Sequence, residues 1–273
     1  MPAASIEERF PRPSVMGVVN VTPDSFSDGG EAYEPDAAVA RARRLVAEGA
    51  ALVDIGGEST RPGAEAVPLD EELRRIVPVL ERLGGEVPVS IDTGKAEVAR
   101  RALALGAVLV NDVTALRGDA AMAEVVADAG AYLCLMHMRG EPRTMQRDPR
   151  YGDVASEVAA FLEERLAAAV AAGVPEERIC LDPGIGFGKT VEQNLELVRR
   201  LDVLLALGRP VLVGLSRKST LGRILGDPEA TRGTAAASVG AAVAAFERGA
   251  SIFRVHDVRE HVEALAAARA VAG

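Results

Sequence analysis

Short apolar runs rich in Val, Ile and Leu recur along the chain, and each ends abruptly in polar residues or glycine: Val15–Val19, Leu52–Ile55, Val87–Ile91, Val108–Val110, Tyr132–Met136, Ile179–Leu181, Val211–Val213 and Ile252–Val255. Unbroken apolarity, in place of strict alternation, is how a strand buried on both faces reads, and such strands belong to parallel sheets. Between the runs lie segments rich in Ala, Arg, Glu and Leu with apolar positions at helical spacing, among them Asp36–Glu48, Leu69–Leu83, Lys95–Leu105, Ser156–Ala172 and Thr234–Glu247. Gly49, Gly106, Gly130, Gly173 and Gly249 stand just past such segments, where a helix is expected to close before the next strand. Eight strand-helix units and no linker or low-complexity tract predict an α/β protein of one domain over residues 1–273, a (β/α)8 TIM barrel. An open doubly wound sheet has fewer strands and a single glycine fingerprint.

Hydrogen-bonding side chains stand at the end of every run. Asn20 comes after the first, Asp54 ends the second, Asp92 the third, Asn111 and Asp112 the fourth, His137 the fifth and Asp182 the sixth; Ser216–Lys218 come after the seventh, and Arg254 and His256 close the eighth. In a barrel these ends converge on one mouth, so distant stretches of sequence predict one polar pocket. Asp54 and Asp112 need be no more than helix caps or turn formers. Period-two geometry places Asp92 on the face of Ser90, Asp182 on that of Cys180 and Arg254 on that of His256, an interior that accepts charge only with partners or a polar ligand.

Composition narrows the chemistry. A net charge of −9, aromatics at 3% and no Trp leave neither the basic footprint nor the stacking platforms of a nucleic-acid binder. No run approaches the roughly 20 apolar residues of a membrane span, and Met1–Pro13 lacks the apolar stretch of a signal peptide, so a cytoplasmic enzyme with small-molecule substrates is expected. Cys134 and Cys180 read as core residues, and the three histidines have no metal-ligand spacing. Cations are almost all Arg; the only lysines are Lys95, Lys189 and Lys218, each in or beside a loop that comes after a strand. Long glycine-rich loops, Asn20–Gly30 and Gly56–Gly63, come after the first two strands and are read as lids or binding loops. Gly184–Thr190 imitates a phosphate-binding loop but carries Pro183 where the Walker pattern requires glycine. Its glycines are read as letting the backbone pass close to a ligand, with Phe187 as an apolar wall.

Taken together, Asn20–Gly30, Asp54–Gly63, Ser90–Thr93, Asn111–Val113, Leu135–Gly140, Leu181–Gly188, Gly214–Ser219 and Arg254–Asp257 resemble the dihydropteroate synthase family, in order and one per strand, over nearly the whole chain. The resemblance implies a (β/α)8 barrel that joins 6-hydroxymethyl-7,8-dihydropterin diphosphate to p-aminobenzoate, giving 7,8-dihydropteroate and pyrophosphate in folate biosynthesis. It implies that Asp92, Asn111, Asp182 and Lys218 hold the pterin, with Met136 and Gly214 along its flat faces. Arg254, His256 and Asn20 would take the diphosphate, with Mg²⁺ bridging its oxygens and Asn20 as the protein ligand. Thr60, Pro62, Phe187, Lys218 and Ser219 would shape the p-aminobenzoate pocket, while Asp24 and Arg61 help close the two loops. Catalysis would rest on Asp92, Asp182, Lys218, Arg254 and His256, and the family suggests a homodimer. The rival readings are a methyltetrahydrofolate-dependent methyltransferase, which has no use for a diphosphate site, and a catalytically silent pterin-binding paralogue.

Overall fold

In a computed structural model, which describes residues 4–22, 35–59, 63–140 and 143–273, the runs become eight parallel strands. These are β1 Ser14–Asn20, β2 Leu52–Gly56, β3 Val89–Asp92, β4 Leu109–Asp112, β5 Tyr132–Met136, β6 Ile179–Asp182, β7 Leu212–Val213 and β8 Ile252–Val255. Neighbours pair in the order β6-β5-β4-β3-β2-β1-β8-β7. A parallel bridge from Leu181 to Val211 and a bond from Leu181 N–H to Pro210 O (2.9 Å) bring β6 to β7 and close the ring.

The helices are α1 Ile6–Arg9, α2 Pro35–Ala47, α3 Leu69–Leu83, α4 Ala96–Ala104, α5 Met122–Ala129, α6 Val154–Ala171, α7 Val191–Arg199, α8 Leu201–Leu205, α9 Ser219–Ile224, α10 Ala235–Glu247 and α11 Val258–Ala272. The Asp153 side chain accepts from Ser156 N–H and starts α6 two residues ahead of the sequence expectation; Thr234 caps α10 in the same way through Ala237 N–H. The five helix-closing glycines all adopt positive φ.

Alternation along each strand sorts side chains into two environments. Val15, Val19, Val53, Ile55, Val89, Ile91, Val110, Leu133, Leu135, Ile179, Leu181, Val213, Phe253 and Val255 pack outward in the large core shared with the helices. Met16, Leu52, Leu109, Cys134, Cys180, Leu212 and Ile252 point inward and form an apolar floor, plugged from below by Ile6 and Phe10 of the N-terminal segment. The two cysteines are thus adjacent floor residues, in register across β5 and β6. Two residues further along β2, β4, β6 and β8 the interior turns polar, with Asp54, Asn111, Asp182 and Arg254, and β3 adds Ser90 in register with Asp54.

Candidate active site

Arg254 fixes the centre of that layer. From β8 its Nε reaches Asp54 Oδ2 on β2 (2.6 Å) and its Nη2 reaches Asp92 Oδ2 on β3 (2.8 Å), contacts that span the barrel interior past β1. Asp54 also accepts from Ser90 Oγ–H (2.6 Å) and Asn111 Nδ2–H (3.1 Å) and is fully buried. The reading of Asp54 as a cap or turn former is therefore corrected: it is the hub that holds Arg254 and orients Asn111. Asp112 fits that reading, since its carboxylate accepts from Thr114 and Leu116 N–H and shapes the local turn.

Because the Asn111 NH2 faces a carboxylate, its orientation is set by charge, and its Oδ1 is left buried with no hydrogen-bond partner. An orphaned buried acceptor costs about 1–3 kcal/mol unless a ligand donates to it. Asp182 stands two strands further round the wall, on β6, in register with Met136 of β5. Gly184 N–H holds its Oδ1 (2.7 Å), and among the described residues its second oxygen accepts no hydrogen bond. Burial pushes the Asp182 carboxyl up to about 6 against the pull of Gly184 N–H, Lys218 and Arg254. Burial likewise raises Asp92, opposed by Arg254 and reinforced by the Asp54 charge. For Arg254, burial works against the cation, but Asp54 and Asp92 outweigh it and raise its pKa further.

Lys218, which precedes α9, lays its ammonium over the Phe187 ring, 4.1 Å from the centroid, and its stem passes Gly186. Phe187 joins Met136, Val113, Met138 and Met145 in a small apolar cluster at the rim. Ser219 is the first residue of α9. Gly214 lies just past β7, and a Cβ there would meet only Arg254 Cβ, at 4.0 Å, so this wall stays flat.

His256 shows the opposite electrostatics. Ser216 Oγ accepts from His256 N–H (3.1 Å) and lies 3.2 Å from Nδ1, to which the hydroxyl donates when the ring proton is on Nε2. Burial and then the surrounding cations Arg254, Arg217, Lys218 and Arg41 hold His256 down to about 3, a neutral donor in a cationic corner suited to an anion. Asn20, half-buried at the end of β1, lies in register with Gly56 at the same rim. Among the described residues no group of three His, Cys, Asp or Glu could cage a metal. A single amide oxygen completed by substrate phosphates and water is the donor set that Mg²⁺ accepts.

The described site residues Asn20, Asp92, Asn111, Met136, Asp182, Phe187, Gly214, Lys218, Ser219, Arg254 and His256 all fall at the C-terminal mouth. Asp24, Thr60, Arg61 and Pro62 lie outside the described residues. At the base of the second loop, Lys95 Nζ bonds Glu58 (2.5 Å) and the buried Glu72 (2.6 Å), and Glu58 also accepts from Val67 N–H (3.0 Å). The sixth loop packs closely on the chain itself. A Cβ on Gly184 would stand 1.9 Å from His137 O, and one on Gly188 2.5 Å from Arg139 O, both with positive φ. These two glycines let the loop pack on the chain's own β5 end, while Gly186 faces the Lys218 stem and Gly184 also lies against the Met136 side chain.

Sequence reasoning missed Asp54 and Ser216 as site residues, yet an acid inside the run Leu52–Ile55 is itself a signal that a buried cation must exist elsewhere.

A closed barrel with acids and an unsatisfied amide on one side of its mouth, and a cationic corner on the other, defines a pterin-binding barrel enzyme. The family model described as "Pterin binding enzyme" matches residues 16–256. The dihydropteroate synthase of Neisseria meningitidis serogroup C is 48% identical over 271 residues, covering 97% of this chain and 95% of that protein. The solved dihydropteroate synthase of Xanthomonas albilineans with 4-aminobenzoic acid superposes with a TM-score of 0.88 at 50% identity, covering 96% of this chain and 94% of the other. The same organism's enzyme in complex with 7,8-dihydropteroate superposes with a TM-score of 0.84 at 48% identity, covering 96% and 95%. The chain belongs to the dihydropteroate synthase family.

Proposed function

We propose that this chain is a transferase that condenses 6-hydroxymethyl-7,8-dihydropterin diphosphate with p-aminobenzoate, releasing pyrophosphate and forming 7,8-dihydropteroate. The observation that carries the reading is the pairing of an acceptor-rich wall with a cationic corner: the orphaned Asn111 Oδ1 and the buried Asp182 carboxylate on one side, Arg254 and His256 on the other. The amino-pyrimidinone edge of a pterin offers N–H donors to Asp182 and to Asn111 Oδ1, and a ring nitrogen and carbonyl to Lys218. Met136 and the bare Gly214 wall receive the flat ring.

The diphosphate takes the rim beside His256 Nε2–H and Arg254. Asn20, with the substrate phosphates, would hold a Mg²⁺ ion there, which would supply positive charge to the departing group. The pterin methylene becomes cationic as its carbon–oxygen bond breaks, and the Asp92 and Asp182 carboxylates favour that charge from a site already arranged around them. The aromatic amine of p-aminobenzoate, held against Phe187 with its carboxylate toward Lys218 and Ser219, then forms the new carbon–nitrogen bond and loses a proton. No covalent enzyme intermediate is needed. The diphosphate corner separates this reading from a methyltransferase, which has no group to place there.

The deciding experiment monitors pyrophosphate release with magnesium present. It is expected only when the pterin diphosphate and p-aminobenzoate are both added, in step with dihydropteroate. Binding of the pterin with no release would assign the chain to a silent paralogue. We also propose a homodimer and a cytoplasmic location; among the described residues no helix is long and apolar enough to cross a membrane.

A further inference from the structure

Lys189 is a charged side chain that the proposed reaction does not use. It is 3% exposed, and burial pulls its pKa down to about 7. Among the described residues no carboxylate lies within hydrogen-bonding distance of it; the Asp182 charge acts on it only through space. An apolar residue of similar length would be cheaper to bury, so the ammonium is retained for what it holds.

Its three protons have three close acceptors: His137 Nδ1 (2.9 Å), Gly184 O (2.9 Å) and Phe187 O (3.0 Å). Burial, then the neighbouring Lys189, pulls His137 down to about 2, so this imidazole is neutral and presents Nδ1 as an acceptor. Gly184 and Phe187 are the first and last residues of one turn, closed by Phe187 N–H donating to Gly184 O (3.0 Å). The ammonium therefore ties both end carbonyls of that turn and anchors them to the end of β5. The rest of the loop is held from outside, by Gln146 on Gly186 O and Tyr151 on Gly188 O. Phe187, the ring under Lys218, rides on the tied turn.

We infer that Lys189 is a positioning residue for the p-aminobenzoate half of the site: its buried ammonium sets the turn that presents Phe187 to Lys218 and to the incoming arene. This rests on the reading that Phe187 and Lys218 line the p-aminobenzoate pocket. A merely structural lysine would, when lost, lower the active fraction and reduce kcat with both KM values kept. A positioning lysine changes one substrate's KM.

The test is steady-state kinetics of the full chain carrying Lys189→Met, with each substrate varied, beside Phe187→Ala. Lys189→Met is expected to raise the KM for p-aminobenzoate by about tenfold, with the KM for the pterin diphosphate within about twofold and kcat at saturation within about threefold. An unchanged KM for p-aminobenzoate, a rise shared by both substrates, or a fall in kcat alone overturns the inference. If Lys189→Met does not fold, His137→Leu, which keeps the ammonium but removes one acceptor, must show the same split with a smaller rise, and no split overturns the inference. A raised p-aminobenzoate KM in Phe187→Ala with none in Lys189→Met defeats only the role of Lys189. No rise in Phe187→Ala defeats the pocket assignment and this inference with it.

Discussion

An acid in the middle of an apolar strand costs several kcal/mol to bury unless a cation and donors meet it, and Asp54 is met by Arg254, Ser90 and Asn111. Removing Asp54 leaves Arg254 with Asp92 as its remaining carboxylate partner and takes the acceptor from Ser90 and Asn111. Asp54→Ala is expected to destabilise the fold by about 3 kcal/mol in urea unfolding and to lower kcat/KM for the pterin diphosphate, since Arg254 and Asn111 lose their common anchor. Unchanged stability would show that Arg254 finds its compensation elsewhere. That ion pair was not legible beforehand: its partners stand 200 residues apart, and the sequence could show only that an acid needed a partner.

Asp182 carries the pH dependence. Its pKa rises from 3.8 to about 6 in the folded protein, so the stability it contributes is complete below the ordinary value and is lost as pH rises through about 6. A pterin donating to the carboxylate favours the ionised form and offsets that loss. Affinity for the unphosphorylated 6-hydroxymethylpterin, read by its own fluorescence, should tighten on the order of tenfold between about pH 5 and pH 7, and Asp92, raised in the same direction, adds to the trend. A flat profile would remove Asp182 from the pterin contacts.

At the level of elements, the strands were legible because burial on both faces leaves an unambiguous run, and α3 was read at its observed bounds because its apolar positions keep helical spacing for four turns. Among the shorter helices, α4 was read to within a residue of each end, whereas α5, α7 and α9, of eight, nine and six residues, were not delimited. The sixth loop was legible as special, but its packing on the His137 and Arg139 carbonyls was not, because those carbonyls stand just past another strand. The two kinds of glycine at the mouth separate on this point. Gly184→Ala places a methyl carbon against His137 O at positive φ and is expected to cost on the order of 2–4 kcal/mol in thermal or urea unfolding. Gly214→Ala makes only an ordinary contact, with Arg254 Cβ at 4.0 Å, and should keep wild-type stability while weakening pterin binding by about tenfold, through bulk on the flat wall. Equal effects of the two on stability would mean that the Gly214 wall is a packing surface and not a binding one.

The whole molecule separates two tasks along one axis. Its floor of Met16, Leu52, Leu109, Cys134, Cys180, Leu212 and Ile252 is built for packing, and the layer above it for chemistry. Eight strands deliver polar ends to one rim because a closed parallel barrel leaves them no other place to go. That convergence was foreseeable from the order of motifs. The internal wiring was not, because side-chain pairs across the barrel arise from closure and leave no local trace in sequence.

The most direct test is a crystal structure of this chain with 6-hydroxymethylpterin diphosphate bound. The account predicts the ring edge on Asp182 and the Asn111 Oδ1 that now lacks a partner, the ring face along Met136 and Gly214, and the diphosphate beside Arg254 and His256 Nε2. A pterin seated elsewhere, or one that leaves Asn111 Oδ1 without a donor, would contradict it.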